Sequence, residues 1–148
     1  MDDKVFTYQE FLHHLPDLCE RFDVSVIQLT KEQAEESGDI NNSWMAGKQL
    51  MMGVYDNDEF KLISLFHELG HTVEPVWLRE RLDSDYFKEP NAELEILEPY
   101  KYFIERQAWI EGMRIAKDIY NITFSREAIQ YAKKCLATYT TITKNCGR

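Results

Sequence analysis

The stretch LISLFHELGHTVEP, residues 62–75, holds two of the four histidines of the chain inside a strongly apolar segment. Leu62, Ile63, Leu65, Phe66 and Leu69 place apolar side chains nearly all round a helix, a pattern that requires later elements to cover it. The helix is expected from Glu59 to about Thr72, with Pro75 as its limit. His67 and His71 stand four residues apart, so one helical face presents both imidazoles at a separation that a single metal ion can bridge. Glu68 sits about 100° round the helix, too far to join them as a ligand but placed to reach a water beside the ion. Two ligands and one base are what zinc-assisted hydrolysis of a carbonyl compound asks of a helix. The plainer reading is a core helix with two satisfied histidines. Gly70 argues against it, because glycine costs about 1 kcal/mol of helix propensity relative to alanine unless something approaches the backbone there.

A tetrahedral catalytic zinc site needs a third protein ligand. No histidine follows His71, which leaves Glu74, Glu80, Glu89, Glu93, Glu95, Glu98, Glu105, Glu111, Asp83 and Asp85. Periodicity separates them. Ala108, Trp109, Gly112, Ile115, Ala116 and Ile119 form one apolar stripe of a later helix, and Glu105 falls on that stripe. A carboxylate on a core-facing stripe is costly unless it is paired or binds a cation. Glu105 therefore has the strongest reason to be a ligand, with Glu98 and Glu95 next. Glu111 faces away. A pair between Glu105 and Arg79 or Arg81 is the competing explanation.

Around this segment the order of elements is α+β. Residues 7–21 repeat apolar positions at spacings of three and four, an amphipathic helix with Pro16 as a kink or break. DVSVIQL alternates and is β-branched, which suits a strand. After TKEQAEESGDINNS, read as a polar loop, WMAGKQLMMGVYDNDEF reads as two strands turning at Gly47 and Lys48, with DND leading into the helix. Residues 76–98 mix a short helix with loop. Pro99 stands at a plausible first helical position of the next helix, and Ser125 caps the last one, with Ala128, Ile129, Ala132, Leu136 and Tyr139 on its apolar face. The expected domain is a single unit over residues 1–148 with a small, mostly antiparallel sheet packed on the histidine helix and on C-terminal helices.

Composition limits the partners. The 148 residues carry a formal net charge of −9, distributed as −7 over residues 1–40, −7 over 41–100 and +5 over 101–148. Such an acidic body disfavours direct nucleic-acid binding, and the basic C-terminal helix reads as a solvated face. Cys19, Cys135 and Cys146 form no CxxC and are odd in number, so they read as free thiols. No apolar run approaches the ~20 residues of a membrane span. The opening MDDKVFTYQEFLHHL lacks the basic and apolar regions of a secretion signal, which points to the cytoplasm.

HELGH at 67–71 followed by ERQA at 105–108 resembles the HExxH…ExxA pattern of gluzincin metallopeptidases, and most of all the ImmA/IrrE-type metallopeptidases of bacteria, phages and mobile elements. The resemblance spans roughly residues 5–120. It implies a zincin-like fold, Zn2+ held by His67, His71 and Glu105, Glu68 as general base and acid, and a protein substrate, with a repressor-type regulator as the candidate. Trp109 departs from the pattern, standing where that family commonly has Asn, as does IEGMRIAKD in place of its usual FA-containing continuation. A metal-binding protein of the same fold that sequesters a regulatory or host protein without cutting it is the alternative.

Among secondary features, a strand at 49–55 lying at the sheet edge would hold an extended peptide by strand addition. Tyr55, Tyr100 and Tyr102 are candidates to donate to a developing oxyanion, each with a plainer role as a core or rim aromatic. His13 and His14 are adjacent and point apart, so they read as surface residues. Met45, Met51 and Met52 read as core filling.

Overall fold

The computed structural model describes residues 6–73 and 94–146, the side chains of 94–101, 103 and 139–146 excepted. Helix α1 (Tyr8–Phe11) opens with a capping box between Thr7 and Glu10. A 3-10 turn over Leu12–His14 follows, and α2 (Leu15–Phe22) starts with Pro16 in its first turn. The break expected at the proline therefore falls just before it, where a missing N–H costs no helical bond. Strand β1 (Ser25–Gln28) leads to α3 (Lys31–Glu36), a short helix where the sequence reading has a polar loop. Its signal is a second capping box, Thr30 with Gln33.

Strands β2 (Trp44–Ala46) and β3 (Gln49–Met52) form the expected hairpin, with Gly47 at φ 63° in the turn. The sheet order is β1-β3-β2, with β3 parallel to β1 and antiparallel to β2. It is thus mixed rather than mostly antiparallel, because α3 carries the chain from β1 to β2 on the far side of the sheet and the hairpin then inserts β3 between them, in the direction of β1. It also makes β3 the central strand. The edge strand expected over 49–55 is corrected to β2.

Asn57 caps α4 (Asp58–Gly70), its Oδ1 accepting from the backbone N–H of Glu59 and Phe60 at 2.9 and 3.0 Å. A 3-10 turn over His71–Val73 continues it. Leu62, Ile63, Leu65, Phe66 and Leu69 are all buried, so the helix is the centre of the core as its pattern requires. Pro75 and residues 76–93 lie outside the described residues. Helix α5 (Leu94–Tyr120) starts five residues before Pro99, which stands inside the helix instead of opening it. Helix α6 (Arg126–Cys146) is capped by Ser125, whose Oγ accepts from Ala128 N–H at 3.2 Å. Ala108, Trp109, Gly112, Ile115 and Ala116 of α5 are buried, whereas Ile119 is exposed where the helix runs past the core.

Two contacts position α4. Near its start, the buried Glu59 carboxylate accepts from the backbone N–H of Ser125 at 2.8 Å and from its hydroxyl at 2.6 Å, tying the N-terminus of α6 to that of α4. Near its end, α4 and α5 touch backbone to backbone. A Cβ on Gly70 would lie 2.7 Å from the carbonyl carbon of Ala108 and closer still to its oxygen; one on Gly112 would lie 2.6 Å from the carbonyl carbon of Phe66. The expectation that Gly70 marks a close approach is met, and Gly112 is its counterpart on the other helix.

Alanine at either glycine should lower stability by about 3 kcal/mol, the upper end for overpacking, because backbone atoms cannot step aside as a rotamer does. Urea unfolding measures this; a gain of about 1 kcal/mol, the helix-propensity benefit alone, would contradict the close crossing. Glu59→Ala should cost about 2–3 kcal/mol by leaving the partly buried Ser125 donors without their charged acceptor, and Ser125→Ala only about 1. The reverse order in the same assay would show that the carboxylate does not join the helices.

Candidate metal centre

The close crossing sets one side chain of α5 against two of α4. Glu105 lies 38 residues beyond His67, yet its Oε1 is 2.9 Å from Nε2 of His67 and its Oε2 is 3.3 Å from Nε2 of His71. Glu105 stands seven residues, close to two helical turns, before Gly112, on the face that packs against α4. On α4, His67 and Glu68 fall in the last full turn, and His71 opens the 3-10 turn that follows. Glu68 is turned to the other side of His67, with Oε2 3.1 Å from Nδ1.

One atom each of His67, Glu68 and His71 lies within 4.8 Å of the others, a group that could hold a metal ion. Glu105 faces this group from the opposite helix. Edges between ligands of a tetrahedral ion with bonds of about 2.0–2.1 Å come to roughly 3.3 Å; the 3.3 Å from Oε2 to Nε2 of His71 equals that edge, while the 2.9 Å from Oε1 to Nε2 of His67 is the length of a direct hydrogen bond. Between the two carboxylates, geometry favours Glu105 as the ligand, because it faces both Nε2 atoms while Glu68 faces the far nitrogen of one ring.

Charge explains why these groups stay together. The side chains of His67, Glu68 and Glu105 are 11, 9 and 17% exposed, and no lysine or arginine is among the described residues lining the cavity around them. Two carboxylates so placed need a cation. Burial opposes a charge on His67, but the hydrogen bonds to Glu105 and Glu68 outweigh it and hold the imidazole above its ordinary value. Burial likewise opposes ionisation of Glu105, and hydrogen bonds from His67 and His71 overcome it, bringing that carboxyl down to about 2. Each nitrogen of His67 meets a carboxylate, which accepts only. The arrangement is that of a doubly protonated ring, or of a ring with a metal ion in place of the Nε2 proton.

The cavity measures about 440 Å³. Its walls come from the segment before and into β2 (Asn41, Asn42, Ser43, Trp44), from Tyr55 and Ser64, from Trp109 of α5, and from Tyr131, Cys135 and Thr138 of α6. Tyr55 sits at φ 52°, left-handed backbone that a non-glycine residue adopts at a cost. Its ring is buried and its hydroxyl lies 2.9 Å from Ser43 Oγ, which also accepts from Gly53 N–H at 3.1 Å. Burial raises the phenol of Tyr55, and that of Tyr131 still further, so both stay protonated donors. The indole of Trp109 stacks on His67, with ring centroids 3.9 Å apart and planes at 13°.

Of the other residues considered from sequence, Tyr102 is not among those lining the cavity, and the side chain of Tyr100 lies outside the described ones. Glu111 bonds Gln107 and Arg114, facing away as expected. Glu74, Glu80, Glu89, Glu93, Asp83, Asp85, Arg79 and Arg81, and the side chains of Glu95 and Glu98, fall outside the described residues. His13 and His14, expected to point apart, instead bring their rings to 4.0 Å with planes tilted by 41°, in the 3-10 turn after α1 and outside this cavity. Met52 is in the core and Met45 packs against it. Ser64 and Tyr131 were not singled out from sequence: Ser64 was legible, one turn before Glu68 on the same face, whereas nothing local marks Tyr131. No helix among the described residues is long and apolar enough to cross a membrane.

Compared with protein-family models, with curated proteins and with solved structures, the chain matches none.

Proposed function

We propose that the chain is a zinc-dependent endopeptidase of the zincin type, with the gluzincin ligand set, that cuts a specific protein partner in the cytoplasm; a repressor-type regulator is the candidate substrate. The observation that carries this reading is Glu105, delivered from a separate helix onto Nε2 of both histidines of an HExxH motif. A core helix with two satisfied histidines has no need of two carboxylates, one buried and one mostly so, around them.

His67, His71 and Glu105 would hold the ion. Zinc bound there supplies Lewis-acid polarisation of the scissile carbonyl and lowers the pKa of a coordinated water towards about 7. Glu68 would take the proton from the water as its oxygen adds to the carbonyl carbon, and would pass that proton to the amide nitrogen as the carbonyl re-forms and the C–N bond breaks. Tyr55 and Tyr131, held protonated by burial, are the donors on the cavity wall for charge developing on the carbonyl oxygen. The substrate backbone has a partner in β2, an edge strand among the described residues whose Trp44 lines the same cavity.

Protein purified without added metal should carry close to one zinc per chain, and Glu105→Ala should lose most of it. Glu68→Gln should keep the zinc and cut about 10²–10⁴-fold more slowly. The readout is N-terminal labelling of host-cell proteins: new N-termini appear with the wild type and not with Glu68→Gln. Biological activity undiminished in Glu68→Gln would exclude the peptidase and favour sequestration of a partner by a metal-binding protein.

A further inference from the structure

We propose that Trp109 is a positioning residue for the metal centre: its indole fixes the plane of His67 and tightens divalent-ion binding. This rests on the metal-centre reading above and goes beyond it, since Trp109 offers no ligand atom.

His67 is held by four neighbours. In the plane of the ring, Nε2 meets Glu105 at 2.9 Å and Nδ1 meets Glu68 at 3.1 Å. Out of the plane, the indole covers one face at 3.9 Å, and the His71 ring stands edge-on with centroids 4.9 Å apart and planes at 64°. Turning His67 about its Cβ–Cγ bond would swing Nε2 off the line to Glu105, and the stacked indole stands where the ring edge would have to pass. Trp109 is itself buried, so it is not free to follow. Its placement has the same origin as that of Glu105. It lies one turn further along α5 on the same face and follows Ala108, whose carbonyl meets Gly70, so the crossing that delivers the carboxylate also presses the indole onto the ring.

The stack also distinguishes metal-bound from neutral imidazole. An indole face is rich in electrons and attracts a cationic partner. A divalent ion on Nε2 draws charge from the ring, so the interaction is stronger when the ion is bound than with the neutral ring. A contact that favours one state of an equilibrium shifts it towards that state. The indole also excludes water from one side of the ligand, as residues outside the coordination sphere commonly do.

The test is zinc affinity of metal-free protein, measured by competition with a chromophoric chelator, for the wild type, Trp109→Leu, Trp109→Ala and Trp109→Phe. Leucine keeps an apolar wall without a π face, and phenylalanine keeps a smaller π face. Trp109→Leu and Trp109→Ala should weaken zinc by about tenfold or more, and Trp109→Phe should recover most of the loss. Thermal melting of the metal-free forms separates this from loss of fold: Trp109→Leu and Trp109→Phe should melt alike yet differ in zinc affinity. Trp109→Leu that is folded and binds zinc as the wild type does would overturn the proposal. A wild type that takes up no zinc would overturn the metal centre itself, and the role of Trp109 with it.

Discussion

Where α4 crosses α5, two helix backbones are in contact, and the absence of a side chain at Gly70 and Gly112 is what lets them meet. Helices packed through ordinary side chains keep their axes about 8–10 Å apart. The closer approach here accompanies the Glu105 carboxylate set against both imidazoles and Trp109 resting on His67. The same approach fills the centre of the core, because Phe66 and Ala108, the residues whose carbonyls the glycines face, are themselves fully buried. Packing and the site thus share one constraint, and the Glu59–Ser125 contact at the other end of α4 brings α6, with Tyr131 and Cys135, to the same cavity.

That geometry gathers groups that would not assemble without a positive charge. Two carboxylates, Glu68 buried and Glu105 mostly so, lie beside two imidazoles in a cluster in which both stabilise charge on His67 and the two rings keep Glu105 ionised. The low pKa of Glu105, despite its burial, follows from this pairing. Such a cluster binds protons or a metal ion in competition. Stability given up to gather these groups is recovered when an ion that suits two imidazoles and a carboxylate occupies the site.

Much of this could be read from the sequence because it is local. Four-residue spacing puts His67 and His71 on one face, the apolar stripe of α5 gives Glu105 a need for a pair or a cation, and Gly70 in a helix implies a neighbour's backbone. The parts that could not be read depend on contacts between distant segments. Parallel pairing of β1 with β3, and with it the edge position of β2, is set by how the chain returns through α3; the local alternation of either strand is silent on it. The stack of Trp109 on His67 looks, in sequence, like one more apolar residue on a stripe. Tyr131 reaches the cavity only because α6 is pinned at Ser125. The short α3 is a different matter, since Thr30 and Gln33 were a readable start signal inside what looked like loop.

The most direct test is a crystal structure of the zinc-loaded protein with diffraction recorded on both sides of the zinc absorption edge. The account expects one anomalous peak between Nε2 of His67, Nε2 of His71 and the carboxylate of Glu105, about 2.0–2.2 Å from each, with Glu68 outside the coordination sphere. A peak on Cys135, a peak bound by Glu68 with Glu105 turned away, or no peak within the cavity would contradict it.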